Sequence, residues 1–183
     1  MGFPKLTSLL LTAPPYAVGI VTLILLSRHS DKKMERCYHI CLPIIAGIIG
    51  FLIMIPDTSK YWKYLGSCIA VQGIFNASPI SLSWLSNNMV GSTKSATATA
   101  MIVSFSNVGG VVAGQMFRKW EAPNYLISLS VCVSLLLMSL ILINILRYCL
   151  NLENLKLEKL SNNPSYEWEI RDGINIRDFR YIL

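Results

Sequence analysis

The sequence predicts an all-α membrane protein of about five transmembrane helices, and three observations predict it. Of 183 residues, 53% are hydrophobic and only 14% are charged, against about a quarter charged in an ordinary soluble domain. The apolar residues gather into runs long enough to cross a bilayer core, which takes about 20 residues of helix. The charged residues lie between and beyond these runs, and no Asp, Glu, Lys or Arg falls inside them.

The runs are taken in chain order. The first, Leu6 to Ser27, follows Lys5 as a signal peptide would. Pro14 and Pro15 interrupt it and no small-x-small cleavage site follows, so it reads as a retained span. Tyr38 to Ile55 is the second and the most uniformly apolar of the early runs. The third, Tyr64 to Leu85, carries a polar stripe with Pro79 on the same face, where the missing N–H bends or breaks a helix. Ser95 to Phe117 is small and polar at its start and glycine-rich towards its end, and Tyr125 to Leu146 completes the set. Residues 1–150 are therefore expected to form the transmembrane bundle and residues 151–183 a cytosolic tail.

Loop charge sets the expected orientation. Arg28, Lys32, Lys33, Arg36, Lys94, Arg147, Lys156 and Lys159 lie on one side, and Lys5, Lys60, Lys63, Arg118 and Lys119 on the other. The excess puts the RHSDKKMER loop and the tail in the cytoplasm by the positive-inside rule, and five spans then leave the N-terminus outside. Within the tail, LENLKLEKL alternates charge at helical spacing and reads as a short surface helix. The remainder, with turn signals at Pro164 and Gly173, reads as irregular and solvated, with no specific partner.

Several function classes are excluded on composition. The formal charge of +6 is spread over loops rather than gathered on one patch, which argues against nucleic acid. Cys37, Cys41, Cys68, Cys132 and Cys149 are odd in number, contain no Cys-x-x-Cys and read as small apolar residues. Cys37, His39 and Cys41 offer no fourth ligand, so neither a metal nor a cofactor is expected. No nucleophile–base–orienter set can be assembled, so the chain is not expected to be an enzyme. Asn76-Ala77-Ser78 matches the glycosylation pattern but sits in mid-span, and Asn163 is followed by Pro.

The candidate functional residues are uncharged. Gln72, Asn76, Ser83 and Asn87 follow one another at four, seven and four residues and share one helical face. Thr93, Thr97, Ser104 and Asn107 repeat the pattern in the next span, which ends in Gly109, Gly110 and Gly114. Polar groups in hydrocarbon need partners, so these faces point at other helices or at a water-filled path. Two readings stay open. In one, the stripes pack helices, with Gly110-x-x-x-Gly114 as a small-residue interface and hydroxyls bonded to their own backbone. In the other, Gln72, Asn76, Ser104 and Asn107 line a solute path. The glycines are assigned to packing in both.

The stretches GFPKLTSLLLTAPPYAVG, SDKKMERCYHI, SLSWLSNNMVGSTKSATATAMIVSFSNVGGVVAGQMF, APNY and FRYIL, in that order, resemble the fungal anion:cation symporter branch of the major facilitator superfamily. That group contains the allantoate permease and its relatives for vitamins and other organic anions. Asn87, Asn88, Gly91, Thr93 and Lys94, running on to Asn107, Gly109 and Gly110, carry the resemblance most strongly.

The resemblance implies a transporter of small organic anions, proton-coupled in the family, working by alternating access between two six-helix halves. It implies that the five spans match the eighth to twelfth helices, the C-terminal half only, in the plasma membrane. Asp31, Lys32 and Arg36 then belong to a loop motif that latches helix ends, while Asn87, Asn88 and Lys94 belong to a gate. The first half and the seventh helix have no counterpart, so the chain is expected to be truncated and not autonomous. Its expected partners are the lipid bilayer, an organic anion if it functions, and either the missing carrier half or an intact relative. The alternative is a non-transporting membrane protein that associates with and modulates such a relative.

Overall fold

The computed structural model describes residues 5–56, 59–117, 125–161, 170–171, 174–175 and 180–183. Six helices follow in order: α1 (Lys5–Leu10), α2 (Ala13–Lys33), α3 (Cys37–Met54), α4 (Lys60–Asn87), α5 (Ser92–Met116) and α6 (Leu126–Ser161). Four of them, α3 to α6, are long and apolar enough to cross a membrane. The expected first span is divided into α1 and α2. Pro14 and Pro15 sit in the first turn of α2, where a missing N–H costs nothing and a fixed φ favours helix. The division therefore falls at Leu11 and Thr12, just before the prolines, and the helix from Ala13 is unbroken through them.

The centre of the bundle is the α3–α4 pair, and glycine brings its two backbones together. A methyl carbon built on Gly73 would stand 2.6 Å from the Gly47 Cα and nearer still to the Pro43 carbonyl. One built on Gly66 would stand 2.8 Å from the Gly50 carbonyl, and one on Gly50 would stand 2.9 Å from the Ala70 Cα. On α4, Gly66, Ala70, Gly73 and Ala77 recur at helical spacing and are all buried, a small-residue stripe facing α3. Towards one end the stripe widens into larger side chains. Cys37, Ile40 and Ile44 of α3 close on Ala77, Ile80 and Trp84 of α4, with Leu136, Leu140, Ile143 and Leu150 of α6 packed around them.

Pro79 lies inside α4, which nevertheless runs continuously from Lys60 to Asn87. Pro43 is likewise accommodated within α3. At the turn into α5, Gly91 has φ 96°, a backbone that a Cβ disfavours. α2 packs on α4 through Tyr16 and Phe75, whose rings meet edge-on at 6.0 Å.

α6 continues well past the end of its apolar run. Residues LENLKLEKL extend this one helix rather than forming a separate surface helix, because nothing between Leu146 and Asn151 interrupts the backbone ladder. Beyond it, Ile170 pairs with Asn175 and Arg171 with Ile174 in a two-residue antiparallel ladder, β1 (Ile170–Arg171) with β2 (Ile174–Asn175). The turn signals at Pro164 and Gly173, and Arg118, Lys119 and the APNY stretch up to Asn124, lie outside the described residues.

Candidate functional site

Two of the loop-motif residues, Asp31 and Arg36, and the gate residue Asn87 come together at one end of the bundle, where α2 ends, α3 begins and α4 ends. Arg36 is 9% exposed. Its Nη2 donates to Asp31 Oδ1 at 2.7 Å. The Asn87 amide is oriented by the same network: with its oxygen turned to the guanidinium it accepts from Arg36 Nε at 3.0 Å and Nη2 at 2.9 Å. A buried guanidinium needs such partners, since its desolvation is otherwise uncompensated. Asp31 and Arg36 flank the α2–α3 turn, so the network ties that turn to the end of α4. Lys32 lies exposed on the last turn of α2, outside these contacts. Lys94 stands in the first turn of α5.

Asn88, the C-cap of α4, joins a second network at the same end, with residues 181–183. The expectation of a solvated tail without a partner is corrected here for its last residues. Their backbone groups are taken up by Asn88, Trp84 and Asn154, and by the start of α3. Sequence reasoning missed Trp84 and Asn154. Trp84 carried a signal, an indole whose N–H needs an acceptor when buried. Asn154 carried none beyond being the one amide between charged neighbours.

The four path candidates fall into two pairs. Gln72 and Asn76 are joined through Thr22 of α2. Thr22 Oγ1 accepts from Asn76 Nδ2 at 3.0 Å, and its one proton is shared among Gln72 Oε1 at 3.1 Å and the Gly19 and Val18 carbonyls of its own helix at 3.0 and 3.1 Å. Gln72 Nε2 also donates to the Pro15 carbonyl. Asn76 is 5% exposed, and its Oδ1 has no partner among the described residues. A cleft of about 220 Å³ beside Gln72 is lined by Pro14, Pro15, Val18, Tyr64, Cys68 and Ile69. Thr22 is the residue that spacing alone did not reveal, because its partners lie on another helix.

Ser104 and Asn107 are placed elsewhere, on α5. Ser104 Oγ donates back to the Ala100 carbonyl at 2.8 Å, and Asn107 is exposed. No residue of α5 is buried, and no described residue lies within 4 Å of a methyl built on Gly109, Gly110 or Gly114. Among the described residues, then, α5 has an open face from Met101 to Gly114, with Phe105, Val108 and Val111 among its exposed side chains.

A polytopic helical bundle with a charged network at one end and an uncovered polar helix defines an integral membrane protein, and no catalytic cluster competes with that description among the described residues. Comparison with known proteins places transporters among its relatives. The chain is 25% identical to an uncharacterized transporter of Schizosaccharomyces pombe over its whole length, 38% of that relative. It is 31% identical to the MFS-type transporter efuF of Hormonema carpetanum, over 72% of this chain and 27% of the relative. It is 28% identical to the high-affinity nicotinic acid transporter of Saccharomyces cerevisiae, over 73% of this chain and 25% of the relative. The chain thus spans between a quarter and two fifths of these proteins. No protein-family description matches it, and no solved structure does. These similarities relate the chain to transporters of the major facilitator type, and they agree with the expectation that the chain is not an enzyme.

Proposed function

We propose that the chain forms part of the second half of a major facilitator carrier for small organic anions, of the anion:cation symporter branch that includes the allantoate permease. It would act in the plasma membrane together with further helices, whether in sequence joined to this one or on another chain. The observation that carries this reading is α5: 25 residues of apolar, hydroxyl and glycine character with none buried. A helix rich in small and polar side chains gains little from facing lipid, and gains close van der Waals contact and hydrogen bonds from facing other helices.

On this reading Ser104 and Asn107 line a solute path that exists only when helices outside this chain close over α5. Gly109, Gly110 and Gly114 let those helices approach. Gln72 and Asn76, tied to Thr22, hold α2 on α4 at the border of the path. The apolar runs of the spans carry no Asp, Glu, Lys or Arg, and His39 lies at an edge, so the proton of a symport cycle is carried by a group on the other helices. The Asp31–Arg36–Asn87 network closes one end of the bundle and must rearrange when that end opens.

The experiment is a chimera. Residues 13–161 of this chain replace the matching stretch of the Saccharomyces nicotinic acid transporter, and uptake of labelled nicotinate and a panel of other organic anions is measured. The expected result is uptake of at least one anion, lost in Asn107→Leu at unchanged protein level. A chimera that reaches the membrane and carries none of them contradicts the proposal. Co-purification of the unaltered chain with an intact carrier, without uptake of its own, would instead favour a modulating membrane protein.

A further inference from the structure

Residues 181–183 are held by a site that the transport reading does not call for. Asn154 makes both of its hydrogen bonds to one residue: its Oδ1 accepts from the Tyr181 N–H at 2.8 Å and its Nδ2 donates to the Tyr181 carbonyl at 2.9 Å. Asn88 does the same to the next residue, accepting from the Ile182 N–H at 2.7 Å and donating to the Ile182 carbonyl at 3.0 Å. In an extended chain the N–H and C=O of consecutive residues point to opposite sides. Two asparagines standing on opposite sides can therefore each read one residue completely, because a side-chain amide offers one acceptor and two donors at the spacing of a backbone strand.

Further contacts complete the seat. Trp84 Nε1 also donates to the Ile182 carbonyl, at 2.7 Å. The Leu183 main-chain oxygen accepts from the Arg36 N–H at 2.6 Å and the Cys37 N–H at 3.4 Å. Those are first-turn donors of α3, which has no side-chain cap, so the segment supplies the cap. The Ile182 side chain packs against the buried cluster of Ile40, Ile80 and Trp84. The bonds go mainly to main-chain atoms, and the apolar contact falls on one aliphatic side chain.

We propose that the ends of α3, α4 and α6 form a peptide-binding seat, specific for an extended segment with an aliphatic residue at its centre, and that residues 181–183 occupy it in cis. The ligand class is an extended main chain, recognised as a strand edge recognises one, with two asparagine amides in place of the neighbouring strand. Occupied, the seat makes three helix ends one unit: the α3 start through Leu183, the α4 end through Asn88 and Trp84, and α6 through Asn154. This inference does not depend on what the carrier moves.

The test is amide hydrogen exchange on the full chain in nanodiscs holding one copy each, so that no second chain can supply the segment. Fragmentation of the peptide ending at Leu183 resolves the Tyr181 and Ile182 amides. Both should exchange at least about tenfold more slowly than in a free peptide of the same sequence, as half-buried hydrogen-bonded donors do. Asn88→Ala should release Ile182 more than Tyr181, Asn154→Ala should release Tyr181 more than Ile182, and Lys156→Ala on the exposed side of α6 should release neither. Free-peptide exchange rates in the unaltered chain would overturn the proposal without any variant. So would protection that survives both asparagine substitutions.

Discussion

α4 and α5 are adjacent helices of similar length, both rich in small and polar residues, and they end in opposite situations. Along α4 the glycines meet another backbone, and seven residues from Gly66 to Trp84 are buried. Along α5 the glycines meet no described residue within 4 Å and no residue is buried. Small residues permit close approach but do not create it. In α4 the apolar cluster around Ile40, Ile44 and Ile80 anchors one end, and the glycine stripe lets the rest follow. In α5 the permission is unused within this chain.

The largest effect expected from breaking this contrast is at Gly73. Gly73→Leu puts a side chain where the Gly47 backbone and the Pro43 carbonyl already stand, so neither helix can yield without separating. Overpacking of this kind costs about 1–3 kcal/mol even where side chains can shift, and here the obstacle is backbone. Thermal unfolding in detergent should show loss of the folded, monodisperse species. Arg36→Gln comes next, because it removes the charge from a buried network while leaving Asp31 and Asn87 without it; charged hydrogen bonds contribute about 1.5–3 kcal/mol. Asp31→Asn should cost less, since its carboxylate is largely exposed. Both are read from the same melting curves.

Thr22→Val sharpens the comparison on the α2 side. It deletes the hydroxyl that joins Gln72 to Asn76 and should cost about 0.6 kcal/mol, the average for an inter-helix hydrogen bond in a membrane. A Thr22→Ser variant, keeping the hydroxyl, should be near the parent. Gly110→Ala has the smallest expected effect, within about 0.5 kcal/mol in this chain, because its methyl meets no atom.

What the sequence made legible follows from how local each signal is. Apolar run length is local, so α3, α4 and α5 were readable in position and nearly in extent, and α6 in where it begins. The Pro14–Pro15 pair pointed correctly to a break, which the structure puts just ahead of the prolines because they favour the first turn of a helix. The α3–α4 contact was also present, as Gly66, Ala70, Gly73 and Ala77 at helical spacing, but the more conspicuous Gly110-x-x-x-Gly114 drew the packing assignment. Spacing identifies a face and not what covers it. For the same reason Gln72 and Asn76 could be placed on one stripe while Thr22, from another helix, could not be placed beside them. Recognition of Tyr181 and Ile182 is through main-chain atoms, which leave little trace in side-chain identity, so the seat that holds them was invisible except for Trp84.

The central claim is that the open face of α5 is made for helices outside this chain. Gly110→Leu, introduced both into this chain alone and into the transporter chimera, tests it most directly. The account predicts that the melting temperature of the chain alone is unchanged, while the chimera loses stability and anion uptake. An effect of the same size in both settings, or in neither, would contradict it, because the face would then be either already covered here or never covered at all.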